Sequence, residues 1–408
     1  MIQTKLKNYV ANFFAIVFSL IICLFIANII FIKVSSQKIF PRSLTGSLPD
    51  MMQTFNPKTY DKDSLQNYTA IIGGSYAQGG GDAYLGGEKN YSIAHHLHKN
   101  DSKNYLSFGR AGSGPISAVS NLIKTHKQSN LPNLIQNLNK PSAIIYLYYE
   151  GYDPEASFLE YKSLIKTNEN LNQFISRRIN ENIELSNFDI LENILPLISF
   201  IKKLYQHLEN FIKKIINERD ISKIKSEIVK TFKKLFGYKI ILNNINEITD
   251  LPNNIISNKF KINSVPPIQG AAPSLGKEEI LISLNIFFKT IEFIKSWSQS
   301  NNIIIVYIPS PMTSYLWEEP IAYEFRKKSN YYSYKMTTNK ENELKSNFIR
   351  STILNYTKKN YINFLDLTDL IIEQGGKEVL HGPLDWHHFN YSGYKISSNY
   401  IKVSLFSN

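Results

Sequence analysis

Five short runs of β-branched and aromatic residues, each closed by glycine, proline or turn chemistry, constrain this chain more than any other feature. They read "YTAIIGG" (68–74), "NYLSFG" (104–109), "SAIIYLYYEG" (142–151), "NNIIIVYIPSP" (301–311) and "YINFLDLT" (361–368). Their apolar residues continue without alternation, the pattern of strands covered on both faces, as in a parallel sheet. Segments of helical periodicity separate them, and strands alternating with helices predict an α/β sandwich. In open sheets of this kind ligands bind beyond the carboxyl ends of the strands. The residues that follow each run are therefore the first place to look for chemistry.

A second constraint lies at the amino terminus, where "NYVANFFAIVFSLIICLFIANIIFI" extends from Asn8 to Ile32 without a charge. Roughly 20 apolar residues suffice to cross a bilayer. A secretory signal instead has an apolar core of about 7–15 residues and a small-residue cleavage site. "KVSSQKIFPRS" offers no such site, and Ile22 precedes Cys23 where a lipid-attachment motif needs a small residue. The stretch predicts an uncleaved signal anchor over residues 1–33 of a single-pass membrane protein. Charge does not set its orientation, because Lys5 and Lys7 nearly balance Lys33, Lys38 and Arg42. Pro41, Pro49 and Pro57 then interrupt any long element, so residues 34–66 read as a linker or cap.

The body divides into an α/β domain over 67–154 and 281–408 and a mostly helical insertion over 155–280. Within the insertion, Ile194, Leu195, Ile198, Ile201, Leu204 and Leu208 recur at helical spacing, with Lys202, Lys203, Lys213 and Lys214 on the other side. Such a basic amphipathic helix packs on its own domain or lies on a membrane. Residues 251–276 read as an irregular loop. The net charge is +12, and between Phe200 and Ile240 basic residues exceed acidic ones by seven. That segment is a solvated face or a binder of an acidic polymer or lipid. No zinc finger, RNA-recognition signature or Walker A pattern accompanies it, so nucleic acid is not an expected partner. An apolar content of 43% argues against wholesale disorder, and the single cysteine excludes an intramolecular disulfide and a Cys-based zinc site.

Several residues after the strands carry candidate chemistry. Ser75 follows Gly73 and Gly74 at a strand-to-loop turn, where a serine is an exposed nucleophile if a base reaches it. "SFGRAGSGP" contains Gly109, Gly112 and Gly114, which either make an ordinary turn or let a backbone N–H face a developing oxyanion. In "DWHHFNYSGY", Asp385 and His388 are three positions apart, so on a helical turn both side chains face one way. The carboxylate then orients the imidazole, as in a Ser-His-Asp relay. His387 is the alternative base. Asp82 and Glu150 lie near strand ends and are candidate pocket residues, as is the loop "PSPMTSY" (309–315). His95, His96 and His98 have no supporting carboxylate nearby and read as helix surface with a partly buried histidine.

Taken together, "GGSYAQG", "FGRAGSGP", "YYEGYD" and "HGPLDWHHFNYSGY" resemble the four sequence blocks of the SGNH (GDSL-like) hydrolase superfamily over about residues 66–154 and 298–400. The last block is the most specific: Asp385, His388, Asn390 and Gly393 meet D-x-x-H-x-N-x-x-G in full. The resemblance implies a three-layer, flavodoxin-like α/β/α fold with a five-stranded parallel sheet. It implies Ser75 as nucleophile, His388 as base and Asp385 as its orienting acid, with the Ser75 and Gly112 amides in the oxyanion hole. Gly74, Tyr76, Asp153, His387 and Asn390 would line the pocket. Two positions depart from the pattern: Gly74 replaces the aspartate of G-D-S, and Tyr152 replaces the asparagine of G-N-D that supplies a third oxyanion donor. The implied activity is that of an esterase or O-acyltransferase acting on O-acetyl groups of a cell-envelope or exported glycan, outside the cytoplasm. A serine acyl-enzyme needs no metal or organic cofactor, and acyl transfer would call for a membrane-protein partner. A non-catalytic glycan- or partner-binding protein and a lipid-directed esterase are the alternatives.

Overall fold

The computed structural model describes residues 2–35, 53–54, 65–100, 103–130, 137–186, 196–198, 200–201, 253–257, 259–328 and 331–406. It opens with α1 (Ile2–Ser35), whose segment Ala15–Lys33 is long and apolar enough to cross a membrane and is almost wholly unburied. The body follows in the order β1 (Thr69–Gly73), α2 (Ser75–Gln78), α3 (Asp82–Leu85), α4 (Ile93–Asn100), β2 (Tyr105–Ser107), α5 (Pro115–Ser129) and β3 (Ala143–Tyr149). Next come α6 (Asp153–Leu164), α7 (Leu171–Ile183), β4 (Asn253–Ile256), β5 (Lys261–Val265), α8 (Lys277–Ser298) and β6 (Ile303–Ile308). The chain then forms α9 (Pro311–Ser314), β7 (Leu316–Trp317), β8 (Ile321–Lys328), β9 (Tyr331–Thr337), α10 (Asn339–Lys359), β10 (Asn363–Asp366), α11 (Thr368–Gly375) and α12 (Tyr391–Phe406).

The five sequence runs become β1, β2, β3, β6 and β10, paired in parallel in the order β10-β6-β3-β1-β2. Every residue of β3 and β6 is buried, which explains why neither run alternates. Alternate side chains still face opposite ways. Ile144, Tyr146 and Tyr148 enter one apolar cluster with residues of α5, α7, α8 and α10, whereas Ile145, Leu147 and Tyr149 enter another with α4, α11 and α12. Helices therefore cover both faces of the sheet. After β1 the chain crosses to the β2 edge, then returns to the far side of β1 as β3, so the sense of winding reverses between β1 and β3. The carboxyl ends of those two strands are where a crevice opens in such sheets.

Residues 251–276 depart from the loop expected there, because β4 pairs antiparallel with both β5 and β7. Ile255 and Val265 bury against Ile268, Met312, Tyr315 and Trp317. Asn253 closes the arrangement by accepting from Ala322 N at 2.7 Å and donating to its carbonyl at 2.8 Å. β5 lies nearby in sequence, but β7 and Ala322 lie more than 50 residues downstream, where no local pattern signals them. The stretch 309–315 is likewise not an open loop: it contains α9, capped by Ser310, with Pro311, Met312 and Ser314 buried. Of the helical insertion, α6, α7 and the start of α8 are described. Most of the basic amphipathic segment and of the 34–66 linker lies outside the described residues.

Candidate active site

Ser75 stands at the carboxyl end of β1 as the first residue of α2. The turn needs both glycines before it. A Cβ on Gly73, whose φ is +144°, would come within 2.7 Å of the Leu147 carbonyl, and one on Gly74 within 2.9 Å of the Ser113 carbonyl. Tyr76 and Ala77 are buried beneath the turn, and the Ser75 carbonyl accepts from the Gly79 and Gly80 N–H groups at 2.9 and 2.8 Å. The serine side chain is left at the surface of the crevice.

The opposing wall is the turn before α12. Its conformation is held by the Phe389–His381 bridge and by Asn390, which donates to the Val379 carbonyl at 2.7 Å. Asn390 also caps α12, its side-chain oxygen accepting from Gly393 N at 3.1 Å. Asp82 grips the same turn from α3, accepting from the backbone N–H groups of Leu384 at 3.1 Å and Asp385 at 2.8 Å. On this support, His388 Nδ1 lies 2.7 Å from Asp385 Oδ2 and His388 Nε2 lies 2.6 Å from Ser75 Oγ. These contacts lie within or close to hydrogen-bond reach for a nucleophile, base and orienting acid. Ser75 and His388 are 313 positions apart in sequence. Gly80 makes room for the ring: a Cβ there would come within 3.1 Å of His388 Cδ2.

Electrostatics assign the protons. Burial alone would raise the Asp385 pKa, but the hydrogen bond and charge of His388, with smaller help from His387, bring it down to about 2. Asp385 is therefore an ionised acceptor, so His388 Nδ1 carries the hydrogen and Nε2 is free to take the Ser75 proton. Asp385 also accepts from the His387 N–H at 3.0 Å, which fixes its second oxygen. His387 points elsewhere. Its Nε2 lies 4.0 Å from Glu324 Oε2 on β8, and burial lowers its pKa to about 4, so it is neutral. Glu324 is pushed up to about 7 by burial.

Tyr152 does not stand as a free donor at the site: its hydroxyl donates to the Gly112 carbonyl at 2.9 Å. Among the described residues no hydrogen bond uses the N–H of Ser75 or of Gly112, which leaves both available. Other residues expected in the pocket serve as its frame. Glu150 is fully buried, and its carboxylate accepts from Ser310 N and Oγ at 2.8 and 2.7 Å and from Ser346 Oγ at 2.7 Å, with Tyr307 and Thr313 hydroxyls also bound. Asp153 is buried, its carboxylate accepting from the Tyr149 N–H at 3.1 Å, and burial drives its pKa well up. Tyr76 packs beneath His388, with ring centroids 5.2 Å apart, and donates to the His387 carbonyl at 3.0 Å. Asn390 and Asp82 hold the turn as described. Sequence proximity to a strand end marked Asp82 and Glu150, and the resemblance marked Tyr76, Asp153 and Asn390; Glu150, Asp153 and Tyr76 are buried, while Asp82 and Asn390 hydrogen-bond the turn. Glu324 was not singled out, because only the β8–β9 hairpin brings it beside His387.

The histidines of α4 lie apart from this site. His95 and His96 are buried and held neutral, and His95 Nδ1 lies 2.7 Å from Ser92 Oγ. Among the described residues no group of three or more potential ligands could hold a metal ion. A cavity of about 340 Å³ opens at the amino ends of the strands, beside Thr69, Ala143, Asn302 and Asn363, but it contains no nucleophile paired with a base. Geometry and charge therefore single out the β1–β3 crevice. In comparison with known proteins, the chain matches no protein-family model and no curated protein.

Proposed function

We propose that this protein is a serine-dependent esterase or O-acyltransferase working through an acyl-enzyme on Ser75. The observation that carries the reading is the continuous relay from Asp385 through His388 to Ser75, with contacts of 2.7 and 2.6 Å. Ser75 Oγ would attack an ester carbonyl while His388 Nε2 takes its proton, and ionised Asp385 would stabilise the resulting imidazolium. The Ser75 and Gly112 N–H groups would face the tetrahedral oxyanion. Collapse would return the proton from His388 to the leaving alkoxide and leave the acyl group on Ser75. Water would then release the acid, or a hydroxyl would accept the acyl group. The strand order and the placement of all four motif blocks at the carboxyl side of the sheet support the flavodoxin-like SGNH reading of the fold. The resemblance adds O-acetyl groups of a cell-envelope or exported glycan as the substrate class, with the body outside the cytoplasm and α1 across the membrane.

Labelling by a fluorophosphonate tests the nucleophile. Wild type is expected to react and Ser75→Ala not to; a folded wild type that resists labelling would overturn the reading. Acetate release from acetylated xylan, compared with hydrolysis of long-chain esters, separates glycan from lipid substrates. One observation favours a binding protein instead: Tyr152 engages Gly112 and supplies no third donor to an oxyanion.

A further inference from the structure

Asn28 is the one polar side chain in the last turns of the apolar run, and it is fully buried although Leu24, Ile29 and Ile30 beside it on α1 are exposed. Its amide donates to the Leu24 carbonyl at 2.8 Å, and its oxygen accepts from the backbone N–H of Leu197 at 2.9 Å. One turn further along, the rings of Phe31 and Phe200 meet with centroids 5.2 Å apart. The two contacts share a register, since 28 to 31 and 197 to 200 are the same step in sequence. Residues 196–198 and 200–201 therefore run beside α1 in the same direction.

The depth follows from helix geometry. At 1.5 Å per residue, Asn28 lies about 7.5 Å inside Lys33 and about 30 Å from Asn8, where the uncharged run begins. A hydrocarbon core is about 30 Å thick, and interfacial segments sit about 5–10 Å into the boundary. A buried amide at that level removes a polar group from lipid by pairing its oxygen with the Leu197 backbone N–H. Ile201 is left 54% exposed beside an apolar helix, and the sequence continues with Lys202 and Lys203, suited to anionic headgroups. On the reading that α1 spans the membrane, we infer that the segment bearing residues 196–198 and 200–201 is a second membrane contact, seated at the boundary of the leaflet nearer the body and latched there by Asn28. Phe31, Ile32 and Phe200 also pack against the apolar cluster on one face of the sheet, so the latch joins body, anchor and bilayer.

The test uses full-length protein in phosphatidylethanolamine–phosphatidylglycerol liposomes, with a fluorophore on single cysteines. These are native Cys23 and, in a Cys23→Ser background, Ile201→Cys or Asp369→Cys, the last a 94% exposed site on the opposite face of the sheet. Quenching by spin-labelled lipid is expected to exceed quenching by iodide several-fold at 23 and 201, with the reverse at 369. Adding Asn28→Leu is expected to shift position 201 toward iodide while 23 and 369 keep their responses. Position 201 behaving like 369 while 23 remains lipid-quenched would overturn the inference alone. Iodide quenching at 23 would overturn it together with the membrane-spanning reading of α1. Fluorophosphonate labelling of Ser75 is independent of either result.

Discussion

Replacing Tyr152 by phenylalanine separates two roles for its hydroxyl. In the structure that hydroxyl donates to the Gly112 carbonyl at 2.9 Å, while the ring packs partly buried against the apolar cluster containing Tyr76 and Tyr149. Phenylalanine keeps the ring and removes one neutral hydrogen bond to an exposed carbonyl that water can reach. A bond of that kind contributes about 0.5–1.5 kcal/mol net, which converts to a roughly two- to twelvefold loss in any rate that depends on the Gly112 peptide. Loss of a true oxyanion donor costs about 10²–10³. Stopped-flow acylation by an activated ester, with thermal melting to confirm folding, reads the difference. A loss above about 100-fold with unchanged melting would refute the reasoning, because it would place the hydroxyl on the oxyanion during the reaction.

Asp82→Asn keeps size but leaves one acceptor for two backbone donors, so the turn carrying Asp385 and His388 loosens. A hydrogen bond to a charged group contributes about 1.5–3 kcal/mol, and kcat is expected to fall about tenfold or more with little change in KM; a rise in KM alone would contradict a positioning role. Glu324→Gln is expected to raise the melting temperature at pH 8 and to change little at pH 4. The folded carboxyl titrates at about 7 against an ordinary value of 4.5, so it binds its proton more tightly when folded and stability falls as pH rises through that window. An increment independent of pH would refute this account.

Much of the fold is legible locally. Continuous apolar runs reveal β1, β3 and β6 because strands covered on both faces cannot tolerate a polar side, whereas β10 is an edge strand with no buried residue, and even three-residue β2 is marked by the glycine that follows it. Strand β4 is less legible, since it is held by partners distant in sequence, β7 and Ala322, the latter bracketed by Asn253. The spacing of Asp385 and His388 is also local: three positions on a turn align a carboxylate with an imidazole.

What the sequence by itself determined is therefore the five strands of the central sheet, the long apolar helix α1, a carboxylate–imidazole pair and, far from it in the chain, a glycine-bounded serine. Spacing and resemblance favoured His388 over His387, but only the tertiary structure decided that its ring reaches Ser75, across 313 positions. It also decided that Glu150, Asp153, Tyr76 and Asn390 support the crevice, and that Tyr152 engages a carbonyl. The physical reason is that periodicity and turn chemistry report how a residue meets its immediate chain neighbours. Burial of a carboxylate, or the partner of a hydroxyl, depends on which other elements the sheet brings against it.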